Sequence, residues 1–171
     1  MTEKTVFYFH GYGSSPTTDK VSVLKEHFGK VFAFPIDVDP DVSIPFLEKE
    51  IDDALVSNIN SENKIVFIGT SLGAWYAGRM ACLYGVDCVL INPAYSLDAL
   101  KVDLPISDEI KAKYEQLGFA HPSSAKFFVA TNDEVIDFSG FNQKNTTYVE
   151  NADHRFNGEP FEKVIQYVKD L

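Results

Sequence analysis

Short apolar runs alternate along the chain with longer stretches whose apolar positions recur at helical spacing. Residues 6–9, Val6-Phe7-Tyr8-Phe9, are β-branched or aromatic without a polar break and stop at His10-Gly11. Comparable runs cover residues 31–34, 65–68, 86–91, 127–130 and 146–149. Runs that stay apolar instead of alternating suit strands covered on both faces, so they predict a parallel sheet. Between them, residues 18–28 carry Val21, Leu24 and Phe28 on one helical face. Residues 44–59 carry Phe46, Leu47, Ile51, Ala54 and Leu55, with Pro45 near the expected start. Residues 72–84 are mostly apolar, and residues 159–171 set Phe161, Val164, Ile165 and Val168 on one face after Pro160. This β-α-β-α rhythm predicts a doubly wound α/β domain, a three-layer α/β/α sandwich on about six mostly parallel strands. Residues 97–124 depart from the rhythm. They hold one predicted helix, 107–117, and are the only room for a small cap.

Length and composition narrow this picture. A chain of 171 residues suits a single domain, 1–171, and can bury a core without staples. With 15 basic and 25 acidic residues the net charge is −10, and no run of Lys or Arg offsets it. Nucleic acid and anionic membranes are therefore not expected as partners. No apolar stretch approaches bilayer length, and the start, Met-Thr-Glu-Lys, lacks a leader pattern, so a cytoplasmic protein is expected. Cys82 and Cys88 form neither a CxxC pair nor part of a His cluster. No metal or cofactor is expected, and both cysteines are predicted to pack as small hydrophobes.

The chemistry concentrates at Gly69-Thr70-Ser71-Leu72-Gly73, a GxSxG sequence between a predicted buried strand and a predicted helix. Chance alone supplies roughly 0.05 such matches in a chain this long, at about 7% per position for each residue type. The strand–turn–helix context is the one this motif needs. A sharp turn exposes the Ser71 hydroxyl above the sheet edge, and flanking glycines avoid clashes with the neighbouring chain. Ala74, Ala77, Gly78 and Ala81 make a small-residue face that lets the helix lie close to the sheet. A serine nucleophile needs a base, and the base needs an orienting acid.

Of four histidines, His154 follows the last predicted strand and is the candidate base. His27 reads as a surface residue, and His121 has no assigned role. Asp133, just past the fifth strand, is the first choice of acid; Glu134, Asp137 and Asp153 remain alternatives. An oxyanion hole would use the Leu72 N–H and an amide from the loop His10-Gly11-Tyr12-Gly13-Ser14-Ser15-Pro16, with Tyr12 the expected donor. Gly11 and Gly13 let that loop turn its amides inward, and His10 is read as holding the loop. The loop matches neither the Walker pattern nor GxGxxG, which argues against phosphate binding.

The HGYGSSP loop, the GTSLG elbow, Asn92-Pro93, Asn132-Asp133-Glu134-Val135 and Asp153-His154-Arg155-Phe156 together resemble the bacterial YqiA/YcfP family of small esterases, in the α/β-hydrolase superfamily. The resemblance runs from residue 6 to the C-terminus. It implies a compact α/β-hydrolase fold with a minimal cap and a Ser-Asp-His triad at Ser71, Asp133 and His154. It also implies hydrolysis of small short-chain carboxylic esters. A thioesterase or amidase with the same triad, or a binding protein on the same scaffold, are the alternatives. Many family members have Gly-Gly or Gly-Tyr after the elbow leucine. Here Gly73-Ala74-Trp75 stands instead, and Trp75 is expected to pack under the site or narrow it. With so few residues left between 97 and 124, a shallow, open site is expected.

Overall fold

In the computed structural model, which describes residues 3–57 and 63–171, the six apolar runs become six strands of one sheet. They are β1 (Lys4–Phe9), β2 (Lys30–Ala33), β3 (Lys64–Thr70), β4 (Asp87–Ile91), β5 (Lys126–Ala130) and β6 (Thr146–Val149). The order is β2-β1-β3-β4-β5-β6, and all five pairings are parallel. Among the described residues five α-helices accompany them, α1 (Asp19–His27), α2 (Pro40–Ser57), α3 (Leu72–Tyr84) and α4 (Asp108–Leu117) between strands and α5 (Glu159–Asp170) after the last.

Alternate residues of each strand feed opposite cores. Phe7, Phe9, Phe67, Leu90, Phe127 and Val129 pack with α2, α3 and Tyr114 of α4. Val6, Tyr8, Val66, Ile68, Val89 and Phe128 pack with α1 and α5. Both faces are covered, which is why the strands show no polar alternation. The sheet order reverses between β1 and β3: the chain steps from β1 out to β2, then returns to β3 on the other side of β1. In open parallel sheets, ligands bind at the carboxyl ends of strands beside such a reversal. The loop of residues 10–16 and the 69–73 turn both lie there.

Three expectations change. Helix α2 begins at Pro40, not residue 44, so Pro45 lies inside it. The cause is Asp39, whose carbonyl takes the Val42 and Ser43 amides and whose carboxylate takes the Asp41 amide, starting the helix a turn earlier. Residues 58 and 59 of the predicted helix lie outside the described residues. Cys82 is exposed, while Cys88 is buried. Position 82 falls on the outer face of the last turn of α3, beside Leu83, which is 60% exposed. Gly78 turns towards the 120–121 loop as much as the sheet, since a Cβ there would stand 2.4 Å from the Ala120 carbonyl.

Candidate active site

Ser71 is the first residue after β3 and caps α3, with φ 57° and ψ −122°. Such a backbone costs about 1–3 kcal/mol and persists only where the surroundings dictate it. Here the Ser71 amide donates to the Ile91 carbonyl (2.9 Å), and its carbonyl accepts from Ala74 and Ala94 (both 3.0 Å). The turn is so tight that a Cβ on Gly69 would lie 2.5 Å from Ala74 Cα, and one on Gly73 would lie 2.1 Å from the Phe9 carbonyl oxygen. Both positions therefore exclude any side chain.

The expected base and acid meet this hydroxyl. His154 Nε2 is 3.0 Å from Ser71 Oγ, and His154 Nδ1 is 2.8 Å from Asp133 Oδ2. Asp133 is 4% exposed, and its other oxygen accepts the Val135 (2.8 Å) and Ile136 (2.7 Å) amides. Those donors aim the carboxylate at His154, an arrangement that suits a proton on Nδ1 and leaves Nε2 free to accept from Ser71. The rival acids are occupied elsewhere. Glu134 accepts the His154 backbone amide (3.0 Å), Asp137 the Ser139 amide (2.9 Å) and Asp153 the Phe156 amide (3.1 Å).

The loop of residues 10–16 passes directly beside Ser71. A Cβ on Gly11 would sit 3.2 Å from Ser71 Cβ, and Gly13 has φ +67°. His10 is buried, with Nδ1–H donating to the Gly11 carbonyl (2.9 Å) and Nε2 accepting from the Ile36 amide (3.1 Å). Burial lowers its pKa, which keeps the ring neutral and able to accept. Among the described residues the Tyr12 and Leu72 amides make no hydrogen bond within the chain, and both residues border the space at Ser71. The other two histidines lie away from this chemistry. His27 is exposed and meets Lys169, and His121 packs edge-on against Phe127.

Two cavities open on Ser71, sharing Tyr12, Ser71 and His154 as walls. One, about 420 Å³, is the more polar of the two, with Thr18, Lys20, Thr70, Arg155 and Asn157 among its walls. Lys20 reaches the Arg155 carbonyl and Asn157 Oδ1, and burial pulls its pKa down to about 8. The other, about 210 Å³, is walled by Leu97, Leu100, Val102, Leu104, Ile106 and Val135. Residues 97–106 reach this position because Leu100 bridges Ile136, with the Lys101 amide on the Val135 carbonyl and the Asp137 amide on the Ala99 carbonyl (both 2.7 Å). Trp75 is buried against Tyr76 and Tyr114 and does not reach the cavities at Ser71.

Sequence reasoning gave Asn92 no role. Its fully buried side chain donates to the Asp153 and His154 carbonyls (both 3.1 Å) and accepts the Ala130 amide (2.7 Å). It thus ties the loop carrying His154 to the strand that leads to Asp133. The available signal was an amide side chain ending an otherwise apolar strand, where an unpaired polar group would be costly. No group of three or more His, Cys, Asp or Glu side chains among the described residues could hold a metal ion. Among those residues no helix is long and apolar enough to cross a membrane.

A family model described as an uncharacterised protein family, UPF0227, matches residues 5–100, more than half of the 171 residues. The chain belongs to this family. It is the YqiA/YcfP family whose motifs the sequence resembles. The matched part holds the 10–16 loop and the Ser71 turn, whereas Asp133 and His154 lie beyond it. Among solved structures, alpha/beta hydrolase domain-containing protein 10 from mouse is 14% identical, with a TM-score of 0.70 over 99% of this chain and 90% of that one. Est1E from Butyrivibrio proteoclasticus is 15% identical, with a TM-score of 0.68 over 99% and 86%. The esterase Pf2001 of Pyrococcus furiosus is 17% identical, with a TM-score of 0.65 over 99% and 83%. At such identities the likeness is one of fold, and the fold is that of the α/β-hydrolases.

Proposed function

We propose that the protein is a serine hydrolase acting on small carboxylic esters with short acyl chains. The observation that carries this reading is the unbroken chain from Ser71 Oγ through His154 to the buried Asp133 carboxylate, at 3.0 and 2.8 Å. In this reading His154 takes the Ser71 proton as the hydroxyl oxygen attacks the ester carbonyl. The developing oxyanion is met by the Tyr12 and Leu72 amides, which have no competing partner among the described residues. Asp133 keeps the imidazole oriented and stabilises its cation. His154 then protonates the leaving alcohol, and water, deprotonated by the same histidine, releases the acid from Ser71.

The two cavities suit the two halves of an ester. An acyl chain matches the aliphatic walls at 97–106, and a polar alcohol matches the side of Lys20 and Arg155. Esterase neighbours on the same fold agree with the assignment. The test is turnover of p-nitrophenyl acetate and butyrate by the wild type and by Ser71→Ala, together with fluorophosphonate labelling of the wild type and His154→Ala. Turnover and labelling that vanish in the variants are expected. Full activity in Ser71→Ala would sink the assignment, and a folded wild type that neither reacts nor labels would favour a binding protein. Matched ester, thioester and amide substrates rank the acyl classes.

A further inference from the structure

The aliphatic cavity at Ser71 has a neighbour. A second chamber of about 230 Å³ is walled by Trp75, Tyr95, Tyr114 and Phe119 and shares Ala94 and Leu97 with the first. A side chain that borders two separate spaces is a partition between them. Ala94 contributes a single methyl and is pinned by its amide to the Ser71 carbonyl (3.0 Å). The bulk of the partition is therefore Leu97, half-buried on the 3₁₀ turn Leu97–Ala99, whose start is capped by Ser96 Oγ accepting the Asp98 amide (3.2 Å).

The chamber behind it is walled by four aromatic residues with a polar fringe at Ser96 and Glu115. The hydroxyls of its two tyrosines are engaged elsewhere: Tyr114 on the Val38 carbonyl (2.6 Å) and Tyr95 on the Asp137 carbonyl (2.8 Å). Their rings, with those of Trp75 and Phe119, supply the aromatic part of the wall, beside Ser96 and the one charged wall residue, Glu115. The two chambers are similar in size, so removing the partition nearly doubles the room open to an acyl chain at Ser71 and adds aromatic wall to it.

We propose that Leu97 sets the acyl-chain length this site accepts, by closing the aliphatic cavity against the aromatic chamber behind it. The proposal rests on the ester-hydrolase reading. Each further methylene that finds an apolar wall gains about fourfold in binding. Leu97→Ala should therefore raise the ratio of kcat/KM for p-nitrophenyl octanoate over butyrate about tenfold or more.

The experiment is a kcat/KM series from p-nitrophenyl acetate to laurate for the wild type, Leu97→Ala, the milder Leu97→Val and the double variant Leu97→Ala/Phe119→Trp. Leu97→Val should shift the profile the same way by less. Phe119→Trp, which refills the rear chamber, should return the double variant towards short chains while leaving the profile unmoved on its own. A profile that stays in place in both Leu97 variants, or rates that scale together for all chain lengths, overturns the proposal. So does a double variant that keeps the long-chain gain. Ser71-dependent hydrolysis with an unmoved profile removes the partition alone. Wild-type protein without ester hydrolysis, or hydrolysis that survives Ser71→Ala, removes the reading beneath it as well.

Discussion

Two loops approach Ser71 from opposite sides, and they are held in different ways. The loop after β6 is tied down throughout. Asn92 takes two of its carbonyls, Glu134 takes the His154 amide, Asp133 takes the imidazole, and Ala152 and Phe156 are buried beneath. The loop after β1 is exposed from Tyr12 to Ser15 and is held chiefly by the buried His10 and by the Ser14 amide on the Gly11 carbonyl. The difference fits the proposed roles. Proton transfer depends on the angle of a ring, which many bonds must fix. Oxyanion binding uses backbone amides, whose direction is set once the chain is turned correctly. Side chains are critical in one loop, and main-chain geometry is critical in the other.

This contrast can be broken by substitution, beginning with the largest effect. Asp133→Asn should lower kcat on p-nitrophenyl butyrate by about 10⁴, because the amide favours the wrong imidazole tautomer while the fold is kept. Near-wild-type turnover would show that Glu134 or Asp153 serves as the acid. On the other loop, Tyr12→Pro should cost about 10²–10³ in kcat by removing the N–H, while Tyr12→Ala, which keeps it, should lose less than about tenfold. Equal losses in both would move the function of Tyr12 from its amide to its ring.

Asn92→Ala strands the Ala130 amide and loosens the His154 carbonyl. It should destabilise the protein by about 2 kcal/mol, roughly 4–8 °C in Tm for a chain of this size. It should also lower kcat about tenfold with KM little changed, since the base loses its support and the cavities do not. An unaltered kcat alongside the lower Tm would make Asn92 a purely structural residue.

The smallest effect concerns His10. Burial lowers its folded pKa below the ordinary value near 6.5, so in acid the unfolded chain binds the proton more readily. Stability present above about pH 6.5 should then be lost as the pH falls towards the folded value. Denaturant midpoints of the wild type and His10→Gln, measured from pH 7 downward, should converge as the acid side is approached. Parallel curves would mean that the loop is not held by the neutral ring.

How much of this was legible beforehand follows from the range of the forces involved. Strand β6 and helix α3 have the boundaries their patterns predict, residues 146–149 and 72–84, because apolar runs and the Gly69–Gly73 turn are local signals. The start of α2 was misplaced because capping by Asp39 outweighed the proline rule that pointed at Pro45. Ser71, Asp133 and His154 were expected to meet from their order after successive strands, and the sheet does bring Ser71 and His154, 83 positions apart, within 3.0 Å. The aliphatic cavity was not readable. It depends on the pairing of Leu100 with Ile136, which no periodicity announces. Nor was the work of Asn92, whose partners belong to a loop some 61 residues further on.

Gly73 carries one more consequence. Because the space for its missing side chain is filled by the Phe9 carbonyl, the start of α3 rests directly on the end of β1, main chain against main chain. The spacing between the Leu72 amide and the loop carrying Tyr12 is then gauged by two backbones in contact, with no rotamer available to take up an error. Even one added methyl would act as a shim, prising the start of α3 away from the end of β1.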